Sequence, residues 1–134
     1  MSLTQIFDIA GSAISAQSQR LNAVASNIAN ADTAAAPGAQ PYRAKQVVFQ
    51  SVPVAGSAAQ GVRVTQVTDD TTAARRIFDP RHPYADQEGY VNLSNVNVVD
   101  EMVNMIAASR SYQNNIETMN TAKSLLLKTL QLGS

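Results

Sequence analysis

The sequence has no cysteine and no tryptophan, its aromatic content is 5%, and its ten basic side chains are balanced by ten acidic ones. Each of these shortages excludes something. Without cysteine there is no disulfide frame, no thiolate nucleophile and no thiolate metal site. Without a charge surplus there is no electrostatic case for nucleic acid or an anionic membrane surface. No apolar run reaches membrane-spanning length. The first nine residues, Met1 to Ile9, lack the basic start and apolar core of a secretory signal, which on its own predicts a cytoplasmic protein. No glycine loop of the phosphate-cradling type is present. Hydrophobic residues make up 45% of the chain, but a large part of them is alanine. The bulk that fills a compact interior is therefore scarce, and thin apolar stripes suit helix-on-helix contact better.

What is present is organised by period. Asn97 is a good N-cap, and Asp100 three residues later completes a capping-box-like pair. From there to Gly133 the chain has no interior glycine or proline. Met102, Met105, Ser109, Tyr112, Ile116, Met119, Lys123, Leu126 and Leu130 alternate steps of three and four, which predicts one stripe along a gently supercoiled helix. Asp100 and Glu101 at its start and Lys123 and Lys128 towards its end suit the helix dipole. Such a helix is a rod roughly 50 Å long.

A second helix is written at the other end. Ser2 and Gln5 form a capping box, with Met1 and Ile6 placed as a hydrophobic staple. Leu3, Phe7, Ala10, Ile14, Gln17, Leu21, Val24, Ile28 and Ala31 repeat the same period, and only Gln17 among them is polar. Gly11 weakens this helix by about 1 kcal/mol relative to alanine. Between Leu3 and Ala31 the only charges are Asp8 and Arg20. A helix so poor in charge is not built for bulk water, and its small amide and hydroxyl side chains suit close contact with neighbouring helices.

Asp32 and Thr33 close the first helix, and Ala34 to Pro41 is a proline- and glycine-broken linker. Strands are predicted over Tyr42–Gln50, Gly61–Thr68, Arg75–Asp79 and Gly89–Leu93, separated by loops. The fold class expected is therefore α+β: long N- and C-terminal helices pairing as a coiled-coil-like α-domain, with a small β-rich insert between them. The boundaries fall at residues 1–33, 34–96 and 97–134. The thin β core predicts marginal stability unless neighbours cover it.

Residues Leu21 to Asp32, reading LNAVASNIANAD, resemble the N-terminal signature of the bacterial flagellar rod and hook proteins. So do Pro41 to Gln50, Gly89 to Leu93, Asn95 to Val103, Ala108 to Gln113 and Asn120 to Leu130, so that the resemblance covers nearly the whole chain. Many relatives run from Asp-Thr directly into Pro-Gly-Tyr, whereas here Thr33 is followed by Ala34-Ala35-Ala36. That expanded linker resembles the proximal-rod members. The resemblance implies a structural subunit of the flagellar rod, the drive shaft that carries motor torque to the hook. It further implies passage through the flagellar type III export apparatus without a cleaved signal, and a final place in the basal body in the periplasm. Expected partners are other copies of the chain and the rod proteins FlgB, FlgF, FlgG and FliE. Neither nucleic acid, a small-molecule substrate nor a cofactor is expected.

The two stripes are wider than one partner helix covers, so the surplus is expected to face other subunits. Related by a screw operation, such contacts need not close. The assembly interface is predicted at Leu3, Phe7, Ile14, Leu21, Val24, Asn27, Ile28 and Asn30 on the first helix. On the second it is predicted at Met102, Met105, Tyr112, Ile116, Met119, Leu126 and Leu130. Asn22, Asn27, Asn30, Asn114, Asn115 and Asn120 are candidates for lateral amide bonds that fix register, the bland alternative being that several face solvent. Asp79-Pro80-Arg81-His82 with Asp86 and Glu88 lacks a second imidazole or thiolate and reads as turn-forming residues rather than a metal or catalytic site. Arg75-Arg76 reads as a solvated or intersubunit strand face. A soluble helical adaptor is the competing reading, and an enzyme ranks below it.

Overall fold

The computed structural model describes residues 2–133. Two helices dominate it: α1 over Leu3–Ala29 and α2 over Val98–Leu132, with four strands between them. Both N-termini form where the caps are written. The Ser2 hydroxyl accepts from the Gln5 amide while the Gln5 side chain accepts from the Ser2 amide. Asn97 Oδ1 accepts from the Val99 and Asp100 amides. The reciprocal half of the second box is absent among the described residues, because no bond runs from the Asn97 amide to Asp100. The staple expected from Met1 lies outside the described residues.

α1 stops at Ala29, two residues before the end of its stripe. Asn30 caps the end: its backbone and side-chain amides both donate to the Ser26 carbonyl, at 3.1 and 2.9 Å, and the next amide, of Ala31, turns to the Ile28 carbonyl three residues back. The helices run antiparallel. Residues near the start of α1 (Leu3, Ile6) lie against Ala122 and Leu125, while Arg20 near its end donates to Asn104 Oδ1 at 3.3 Å. At 27 and 35 residues the two are unequal, so α2 runs on past the start of α1.

The strands make two separate antiparallel hairpins. β1 (Lys45–Pro53) pairs with β2 (Gln60–Asp69), with a bulge between Val48 and Phe49, and β3 (Arg76–Phe78) pairs with β4 (Tyr90–Asn92). β1 starts three residues later than the sequence pattern predicts because residues 42–44 are pinned to the helix roots instead of to a partner strand. The larger hairpin lies along α1, both of its strands packing on that helix, and the start of β1 faces the start of α2 across a cleft. Ser12 on α1 makes this contact close. Its hydroxyl accepts from the Val62 amide at 3.1 Å, and a Cβ on Gly61 would meet that hydroxyl oxygen at 2.8 Å. Only a residue without a side chain lets the strand approach so near. Among the described residues no helix is long and apolar enough to cross a membrane.

Candidate assembly surface

The root of the molecule, where α1 ends, β1 begins and α2 begins, is held by polar side chains. Asn27 is 1% exposed. Its Oδ1 accepts from the Lys45 amide at 2.8 Å and from the Tyr42 hydroxyl at 2.9 Å, and its Nδ2 donates to the Lys45 carbonyl at 3.0 Å. Asn95 matches it from the other side. Its Oδ1 accepts from the Ala44 amide at 2.7 Å, and its Nδ2 donates to the carbonyls of Asp70 and Thr72. The buried Ser94 hydroxyl donates to the Ala31 carbonyl at 2.6 Å and accepts from the Val96 amide. Around these bonds Ala31, Ala44 and Val96 form a small apolar cluster with Tyr42 and Val98 packed on it.

The smaller hairpin is tied to the same root. Arg75 donates to Asp32 at 2.7 Å and to the Ala31 carbonyl, so the Arg75-Arg76 pair is not a free basic face. Arg76 pairs with Asp86 and lies 4.6 Å over the Tyr90 ring. Asp86 organises the turn that follows β3. It accepts from the Tyr90 and Glu88 amides, and chiefly the Tyr90 amide holds its carboxyl below the usual carboxylate range. His82 is used in the same way, its Nδ1 accepting from the Tyr84 amide. Gly89 closes the turn with a φ of +87° and with Phe78 and Pro80 packed where a side chain would stand.

The seam between the helices corrects the sequence reading. The α2 residues against α1 are Asn104, Ala108, Ser111, Asn115 and Ala122, with Ala108 and Ala122 the buried ones. Each stands one position before a member of the predicted stripe, a rotation of about 100° around the helix. Met102, Met105, Ile116, Leu126 and Leu130 are consequently exposed, while Tyr112 and Met119 are half-buried beside the seam. The physical reason is side-chain size: alanine, serine and asparagine let two helix axes approach closely, and methionine and leucine would hold them apart. On α1, Leu3, Phe7, Ile14, Leu21 and Ile28 are half-buried, and Val24 is buried within the chain.

The asparagines divide. Asn27, expected at an interface between copies, is spent inside the chain at β1, and Asn30 caps its own helix. Asn115 donates to the Ser111 carbonyl of its own helix, while Asn22, Asn114 and Asn120 are exposed. Gln17, the polar member of the α1 stripe, has a buried Oε1 with no hydrogen-bond partner among the described residues.

The exposed apolar surface of α2 is larger than the stripe alone. Val99, Val103 and Ile106 near its start, at 68%, 60% and 57% exposure, and Leu125, Leu127 and Leu132 near its end were missed by the heptad reading. Their signal was density rather than period. Large aliphatic residues stand on every side of the helix at both ends, which no single partner can cover.

A narrow stem that buries its small side chains and presents its large ones, with a β head fixed to its root, is the build of a structural subunit made to pack among others. Comparison with known proteins agrees. Residues 7–36 match the family described as "Flagella basal body rod protein", and residues 87–132 match "Flagellar basal body rod FlgEFG protein C-terminal". The chain is 62% identical over 133 residues to the flagellar basal-body rod protein FlgC of Yersinia enterocolitica, covering 99% of each chain. It is 56% identical to FlgC of Salmonella typhimurium strain LT2 and 50% identical to FlgC of Buchnera aphidicola from Acyrthosiphon pisum, again over 99% of each chain. The chain belongs to the FlgC family of flagellar basal-body rod proteins. It is a structural subunit of the proximal rod and not an enzyme.

Proposed function

We propose that this rod subunit assembles through the outward faces of its terminal helices, with copies of itself and with the rod proteins FlgB, FlgF, FlgG and FliE. In this reading residues 1–33 and 97–134 act as one α-unit in the inner wall of the rod, and residues 34–96 form an outer β head that makes lateral contacts. Torque passes because many weak helix contacts act in parallel around a tube, so no single pair resists the load. The chain reaches the periplasm through the flagellar type III export apparatus.

The observation that carries this reading is the inverted stem: most of the large aliphatic side chains of α2 are exposed, while the residues it sets against α1 are small. The test is the pair Val103→Asp and Ile106→Asp, which changes two exposed positions. Circular dichroism and urea unfolding of the purified chain are expected to shift by no more than about 0.5 kcal/mol. Motility and the yield of rods in basal-body preparations are expected to be lost. Normal rods from the double variant would overturn the proposal.

A further inference from the structure

The β head leaves two strand edges open, and the two are complementary. On the smaller hairpin, the Leu93 amide donates to the Arg75 carbonyl and the Asp79 amide to the Gly89 carbonyl. Main-chain bonds alternate along an antiparallel pair, so the N–H and C=O groups of Arg76 and Phe78, between these positions, point away from β4. No main-chain group among the described residues takes them. The outer edge of β4, by contrast, is covered: the Asn92 carbonyl accepts from the Ala35 amide, and Asp86 bonds both main-chain groups of Tyr90.

The larger hairpin repeats the situation on β2. The Asp70 amide donates to the Ala44 carbonyl, and the same alternation turns the main-chain groups of Val67 and Asp69 away from β1. These too meet no main-chain partner among the described residues. β2 and β3 do not touch within one chain. An open edge selects its occupant by chemistry, because an extended strand offers N–H and C=O groups at the matching repeat.

We infer that β3 of one copy adds, antiparallel, to the outer edge of β2 in the next, with Phe78 beside Val67, Ile77 beside Thr68 and Arg76 beside Asp69. The inference rests on the assembly reading above and gives the β head its partner. In the antiparallel sense a single register brings both outward pairs of main-chain groups together, and the same register matches the side chains. Phe78 and Val67, 64% and 54% exposed, meet as an aromatic and a β-branched residue, and Arg76 meets Asp69. Each of these charges keeps about half of its side chain exposed beside its partner within the chain, Asp86 or Lys45. Pairing either edge with itself across a two-fold axis would set Arg76 against Phe78, or Val67 against Asp69, and would stop at two copies. The mixed pairing leaves one edge of each kind free and continues.

The absence of cysteine from the native chain makes the test clean. The full chain carrying both Thr68→Cys and Ile77→Cys is expressed in place of the native one, and basal bodies are isolated and oxidised. In the inferred register these two Cα atoms stand about 4.5 Å apart, within disulfide reach, whereas Gln66 and Ile77 stand about 7–8 Å apart, beyond it. The expected result is a ladder of dimers, trimers and higher species on a non-reducing gel. It should be absent from the chain with Gln66→Cys and Ile77→Cys, and from either single variant. Dimers from Ile77→Cys alone would reveal a two-fold pairing and overturn the inference. Intact rods without cross-links would overturn it while leaving helix-driven assembly standing, and cross-linking to a chain of different mass would overturn the choice of a second copy. Val67→Pro supplies an independent arm. The N–H it removes faces solvent in the single chain, so the circular dichroism and urea midpoint of the purified protein are expected to stay native while rod yield falls several-fold. A normal rod yield from that variant would overturn the strand pairing.

Discussion

At the scale of single residues, the chain is pinned by asparagine and serine more than by bulk. Asn27 satisfies three separate groups, the Lys45 amide, the Lys45 carbonyl and the Tyr42 hydroxyl, in a site closed to water. Removing a partner from buried groups costs their desolvation as well as the bond. Asn27→Ala is therefore expected to destabilise the chain by about 3 kcal/mol in urea unfolding. Asn114→Ala, at an exposed position, should change stability by less than about 0.5 kcal/mol. Equal effects would show that the Asn27 bonds contribute nothing net. The sequence marks Asn27 as an amide in an apolar stripe, but the identity of its partner was out of reach. Lys45 is eighteen residues away through a proline-broken linker, and no local rule says where such a linker returns.

At the scale of elements, caps and periods predicted the two helices to within two residues, because both signals are local and the same turn of chain carries cause and effect. The strands were found but trimmed or extended at their ends, where contacts with α1 and the root decide the limits. The facing of α2 was not legible. A heptad reading assigns the largest apolar side chains to the seam, and here the seam takes the smallest, so the rule selected the right period and the wrong side. Gly11 gives an element-scale test of how closely the chain alone explains its helix. A Cβ there would meet nothing within 4 Å. Gly11→Ala is expected to stabilise the isolated chain by about 1 kcal/mol, read by urea unfolding. No gain would mean that the open space around Gly11 does not survive in solution.

At the scale of the whole molecule, the stem is asymmetric in its support. The root gathers two asparagines, a serine, an apolar cluster and a salt bridge, while the far end of α2 has neither α1 nor the β head beside it. Local opening follows local contact, so the free end opens first. Limited trypsin digestion of the isolated chain is expected to cut after Lys128 and Lys123 well before Arg20, which is half-buried against α2. Size-exclusion chromatography of the same sample should show mainly monomer, since helix ends without partners are marginal in water. Early cleavage at Arg20, or a compact resistant oligomer at low concentration, would contradict this account and favour a self-contained bundle.

The polar root has a mechanical consequence. Asn27 and Asn95 grip the consecutive residues Lys45 and Ala44 from opposite sides, one from the end of α1 and one from just before α2. Bonds placed side by side across such a joint share an applied force, so a sideways push on the β head must strain all of them together before the head can swivel. The joint is a weld rather than a hinge, and the stem and head turn as one stiff piece.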